Sequence, residues 1–141
     1  MKQIHTPVLL AEVINALQVE SGKVYVDATL GGGGHTQEIL KRGGSVIGIE
    51  QDPHAIQFVS NTIKSEHLTL LKGNFSHLQQ LVAATGIHQV SGVLFDLGVS
   101  SLQFDQKSRG FSFSHTSTLD MRMDPRSEER RVGKECRSRW S

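Results

Sequence analysis

The chain has 141 residues, 37% of them apolar, with a formal net charge of +1. That length supplies one domain or part of one, with enough apolar material for a core. No apolar run is as long as a membrane helix, residues 1–7 lack a signal-peptide core, and the single cysteine, Cys136, excludes an intramolecular disulfide and a cysteine-based metal cluster; these features predict a cytoplasmic protein.

Taken in order, residues 8–17 place apolar groups at helical spacing, with Thr6 as a possible N-cap and Pro7 in the first turn. Ser21-Gly22-Lys23 is a turn. The β-prone run Val24-Tyr25-Val26 then ends in Asp27, and Gly31-Gly32-Gly33-Gly34 opens into an amphipathic segment from Thr36 to Arg42 that Gly43-Gly44 stops. A second strand, Ser45 to Glu50, is apolar enough to be buried on both faces. Asp52 caps the next helix, with Pro53 at its first position and an apolar stripe of Ala55, Ile56, Val59 and Ile63. The third strand is Leu68 to Lys72. Ser76 is read as the cap of a helix carrying Leu78, Leu81 and Val82, which Gly86 ends. The fourth strand is read as Val90 to Asp96.

The junction residues Asp27, Glu50, Gly73 and Asp96 recur at a regular interval, the rhythm of successive parallel βαβ units. The predicted architecture is α/β, a doubly wound parallel sheet. Its ligand is expected outside the carboxyl ends of the strands, where these junctions gather. Beyond Asp96 the rhythm gives way to loops rich in Ser, Gly and Phe, running from Leu97 to Asp105 and from Arg109 to Ser114.

Glycines at a strand–helix junction let a ligand approach the backbone. A P-loop needs Gly-Lys-Ser or Gly-Lys-Thr, but His35-Thr36 follows Gly34; a Gly-x-Gly-x-x-Gly dinucleotide fingerprint fits no start within the run. A flavodoxin-like phosphate site would want a Ser/Thr-rich loop and no acid on the second strand. S-adenosylmethionine (AdoMet), which has no phosphate, remains. Glu50 is placed to accept from ribose hydroxyls, Phe75 to cover the adenine, and Asp96 to border the transferred methyl. Each has a plainer reading. Glu50 as a helix cap, Phe75 as core, His35 as a solvated first-turn residue and Asp27 as a structural loop acid all stay open.

These residues resemble a known family. His5-Thr6-Pro7-Val8-Leu9-Leu10, the stretch from Asp27 to His35, Asp96-Leu97-Gly98-Val99-Ser100-Ser101, Arg109-Gly110-Phe111-Ser112-Phe113 and the stretch from Leu119 to Pro125 are similar to the bacterial 16S ribosomal RNA cytosine-N4 methyltransferases. The resemblance implies a Rossmann-like class I methyltransferase fold, here truncated after about four strands. It also implies AdoMet as cofactor, held by Gly33, Gly34, His35, Glu50, Phe75, Asp96 and Gln103, no metal, and 16S rRNA of the small ribosomal subunit as partner, not DNA or a membrane. The sequence departs from the family at Leu102, where proline usually precedes the glutamine, and carries Glu50 where many members have aspartate.

On this reading Asp96, or a carbonyl of its loop, accepts a hydrogen bond from the cytosine N4, and one of Phe104, Phe111 or Phe113 stacks on an extruded base unless it is core. The domain division expected is 1–125, the N-terminal part of the methyltransferase domain, and 126–141, a tail. That tail carries Arg126, Arg130, Arg131, Lys134, Arg137 and Arg139 against Glu128, Glu129 and Glu135, a net +3. It resembles translated sequencing-adapter sequence and is expected to be non-native; an RNA-binding tail is the competing reading. The chain as it stands is expected to bind AdoMet weakly and to transfer little. The alternatives to the enzyme are a non-catalytic AdoMet-binding remnant and a nicotinamide-dependent oxidoreductase.

Overall fold

The computed structural model describes residues 7–99, 103, 107–111 and 121–124. The chain divides into two units, residues 1–98 and 99–141. The predicted Thr6 cap, Phe104, Phe113 and the 126–141 tail lie outside the described residues.

The first unit is built on a parallel sheet of four strands in the order β3-β2-β1-β4. β1 is Val24–Asp27, β2 Ser45–Glu50, β3 Leu68–Lys72 and β4 Gly92–Leu94; helix α1 (Leu10–Leu17) precedes β1, and α2 (Gly34–Lys41), α3 (Pro53–Thr62) and α4 (Leu78–Ala83) lie between successive strands. β1 lies at the centre, with Val26 opposite Ile47 on one side and opposite Val93 on the other.

Both faces of the sheet are covered. Tyr25 and Val46 pack with Ile14 of α1 and Ile39 of α2, while Leu68 and Leu70 meet Val59 of α3 and the neighbouring Ile63. On the opposite face Val26, Ile47 and Ile49 pack with Leu78, Leu81 and Val82 of α4. Successive side chains of a strand point to opposite faces, so the apolar runs of β1 and β2 feed two cores. The Tyr25 ring is buried, and its hydroxyl, which accepts from the Glu20 N–H at 2.9 Å, secures the link between α1 and β1.

Strands β1, β2 and β3 begin and end where the sequence places them. α3 does so at its start, where the Asp52 side chain accepts from the His54 N–H ahead of Pro53. Three readings need correction. α1 begins at Leu10, because Leu9 takes a left-handed conformation (φ 51°) that no helix continues through. The turn before α4 is capped by Asn74, whose side chain accepts from the Ser76 N–H, and a 3₁₀ turn over Phe75–His77 precedes the helix. β4 runs only from Gly92 to Leu94, not from Val90 to Asp96. Its ladder with β1 closes where the Ala28 N–H reaches the Leu94 carbonyl, and the Asp96 N–H bonds a side chain instead.

Within the second unit, Lys107–Arg109 forms a 3₁₀ turn. The buried Arg109 guanidinium donates to the carbonyls of Arg122 and Met123 at 2.7 and 2.8 Å. It also stands 5.8 Å from the centre of the Phe111 ring, within cation–π range.

Ile49 is fully buried. Replacing it by alanine is expected to cost about 2–5 kcal/mol, the range for emptying such a site, and to shift the midpoint of urea unfolding accordingly.

Candidate functional site

In an open parallel sheet the crevice for a ligand opens where the strand order reverses. Here that point lies between β1 and β4, at the carboxyl ends of the strands. The β1 loop, the end of β2, the turn after β3 and the residues after β4 all meet there.

The glycine loop is held by carboxylates on two sides. Asp27, fully buried at the end of β1, accepts from the Thr36 hydroxyl at 2.8 Å and from the Thr29 N–H at 3.3 Å. Burial pushes its pKa above the ordinary value, and those two hydrogen bonds act against the rise. With both oxygens engaged inside the protein, Asp27 fits the structural reading of this acid. Glu50, half-buried at the end of β2, takes three backbone donors. One oxygen accepts from Gly31 at 2.9 Å, and the other accepts from Gln51 and Asp52, each at 2.9 Å. Burial raises its pKa too, against the pull of the three amides. Glu50 is therefore both a cap on the turn after β2 and a clamp on the glycine loop. A carboxylate offers about four acceptor sites, so it retains capacity toward a ligand hydroxyl.

The glycines divide by role. At Gly33 (φ 76°) a Cβ would come within 2.8 Å of Ile63, and at Gly34 within 2.2 Å of the Pro7 ring, so both are required by packing of the protein on itself. A Cβ at Gly32 would meet nothing within 4 Å. The open face of the loop is therefore at Gly32, which the sequence reading did not single out.

His35 is buried in the first turn of α2, not solvated. Its Nε2–H donates to the Val8 carbonyl at 3.1 Å, and Nδ1 stands 3.9 Å from the Asp96 carboxylate, beyond hydrogen-bond length. Its side chain thus ties the segment before α1 to α2. Phe75 is 40% exposed after β3 and meets the Phe95 ring edge to face, with centroids 5.8 Å apart. Neither ring is core. Asn74 beside it donates to the Gln51 side chain at 3.0 Å, joining the turns after β2 and β3.

The Asp96 side chain is 46% exposed, and its backbone N–H donates to the Thr29 hydroxyl at 2.7 Å. Thr29 is a second residue the sequence reading passed over. Its position two residues after a strand-end acid, the spacing of an Asx turn, was the available signal. The first unit thus brings together Gly33, Gly34, His35, Glu50, Phe75 and Asp96. Gln103 belongs to the second unit, where it is buried. Phe111, also in that unit, is buried beside Arg109, in keeping with the core reading of this residue.

Strand order, glycine loop and strand-end acids define a Rossmann-like α/β fold. The solved structures agree: a protein described as an rRNA-methylase from Clostridium thermocellum superposes with a TM-score of 0.55 at 22% identity, covering 69% of this chain and 55% of that one. The C-terminal domain of precorrin-6Y C5,15-methyltransferase from Rhodobacter capsulatus does so with a TM-score of 0.53 at 21% identity, covering 75% and 57%. The chain belongs to the MraW methylase family, which matches residues 2–134 and so includes the first part of the segment read as a tail. Ribosomal RNA small subunit methyltransferase H of Carboxydothermus hydrogenoformans is 48% identical over 128 residues, and that of Deinococcus radiodurans 46% identical over 124. These alignments cover 89% and 88% of this chain but only 41% and 39% of the relatives, so the chain spans about two fifths of their length.

The raised pKa of Asp27 has a definite sign. Protonation favours the folded chain, so this group's stabilising contribution is present below its unfolded value and is lost as pH rises through the higher folded value. Asp27→Asn removes that dependence. The stability of the unmodified chain relative to the variant is expected to fall as pH rises upward from about 4, a trend that urea midpoints measured across the range would reveal.

Proposed function

We propose that the protein uses AdoMet to methylate the exocyclic N4 of a cytosine in 16S rRNA, working on the small ribosomal subunit in the cytoplasm. The observation that carries this reading is the convergence of the Gly31–Gly34 loop, Glu50, Phe75 and Asp96 at one sheet reversal. The chain that does this belongs to the MraW methylase family.

The residues fit the cofactor. The loop presents an open glycine and no phosphate-binding lysine, the β2 end presents a carboxylate with spare acceptor capacity, and an exposed aromatic ring follows β3. Glu50 would hold the ribose, Phe75 the adenine, and the backbone of Gly33, Gly34 and His35 the amino-acid end; Gln103 stands as a further contact on the strength of the resemblance alone. Bound AdoMet supplies a methyl group on a positively charged sulfur, ready for nucleophilic displacement.

The chain's own part is to prepare the nucleophile. The lone pair of a cytosine amino group is delocalised into the ring. An acceptor that takes a hydrogen bond from N4 favours a more tetrahedral, more nucleophilic nitrogen and orients it. Asp96 suits this role, with a carboxylate reaching solvent two residues past the end of β4. The base must be single-stranded or extruded to reach it. Among the described residues no helix is long and apolar enough to cross a membrane.

Two measurements test the reading. Calorimetric titration of this chain should show AdoMet binding and no binding of NADH; preference for NADH would point to an oxidoreductase. In a protein with the complete domain, Asp96→Ala should abolish transfer of labelled methyl groups to 16S rRNA while AdoMet still binds. Turnover near that of the unmodified protein would refute the role of Asp96. Binding without transfer in the unmodified protein would mark a non-catalytic AdoMet-binding protein.

A further inference from the structure

The β1–β4 ladder stops at Leu94, whose carbonyl accepts the Ala28 N–H at 2.9 Å. After it the chain leaves the sheet, and the next anchored group is the Asp96 N–H, 2.7 Å from the Thr29 hydroxyl oxygen. This distance is at the short limit for such a bond, and it joins residues far apart in sequence. Thr29 is itself fixed. Its N–H donates to one oxygen of Asp27, and the other oxygen of that buried acid accepts from Thr36 in the first turn of α2. The backbone of Asp96 is therefore tied, through the hydroxyl and the N–H of Thr29, to a buried carboxylate and to the helix that opens the glycine loop.

We propose that Thr29 is a positioning residue for methyl transfer, setting the backbone from which the Asp96 carboxylate projects. The inference rests on the function proposed above. A β-branched side chain is stiff about its first torsion, so a threonine oxygen occupies a well-defined place. Asp96 is exposed, so water can satisfy its N–H if the hydroxyl is removed. Loss of the bond thus frees the loop without unfolding the protein, which separates positioning from general stability.

The test compares Thr29→Val, which keeps the branched shape and removes the acceptor, with Thr29→Ser, which keeps the acceptor. In the protein with the complete domain, Thr29→Val is expected to lower kcat about 10²-fold, the effect of a small misplacement of a reacting group, with the Kd for AdoMet little changed. Thr29→Ser should restore most of the loss. Amide hydrogen exchange at Asp96, followed by NMR, should quicken in Thr29→Val and stay slow in Thr29→Ser. Unchanged turnover in Thr29→Val, an equal loss in Thr29→Ser, or a rise in Kd matching the loss of turnover would overturn the proposal. If the unmodified protein transfers no methyl group, the functional reading fails; the exchange rate at Asp96 then decides whether Thr29 anchors the loop, and an unchanged rate in Thr29→Val refutes it.

Discussion

A chain leaving the centre of a parallel sheet carries backbone N–H groups that no strand can pair. In this protein two carboxylates take them up. Asp27 accepts the Thr29 N–H and Glu50 the Gly31 N–H, each acid at the end of its own strand. The arrangement carries a cost, because burial disfavours the charge on both acids. What it secures is a loop of small residues held in one shape. Gly33 and Gly34 pack against Ile63 and Pro7 while Gly32 stays open, and the other parts of the candidate site are arranged around that shape.

Much of this was legible in the sequence, for local reasons. Three strands could be read from short apolar runs bounded by turn residues, and α3 from a cap and a proline that act within one turn. The misreadings also have local causes. Leu9 adopts a backbone conformation that leucine seldom takes, so a continuous apolar pattern was extended past the true start of α1. Asn74 and Ser76 are both good caps, and only the geometry chooses between them. β4 is shorter than its apolar run, because such a run does not reveal where its ladder with a neighbour stops.

The candidate site was legible as a set of residue types and not as a set of contacts. Spacing marked Glu50, Phe75 and Asp96 as strand-end residues. It could not show that Glu50 reaches back to Gly31, that His35 turns toward Val8, or that Thr29 meets Asp96, because each bond joins positions far apart in the chain. The same blindness hid the difference among the glycines. Four identical residues in a row carry no mark of which faces protein and which faces open space.

The strand order has a bearing on how the molecule assembles. β1, β2 and β3 are joined by short crossovers and lie side by side, whereas β4 must return past both of its predecessors to reach the free edge of β1. Pairings between distant segments form slowly, since the chain entropy of closing the loop is lost before the contact repays it. Among the described strands, the sheet reversal that gathers the site is completed by that most distant pairing. A nascent or refolding chain can therefore bury most of the apolar surface of β1, β2 and β3 while still lacking one wall of its binding crevice, and competence for ligand arrives with the β1–β4 pairing, not with compaction.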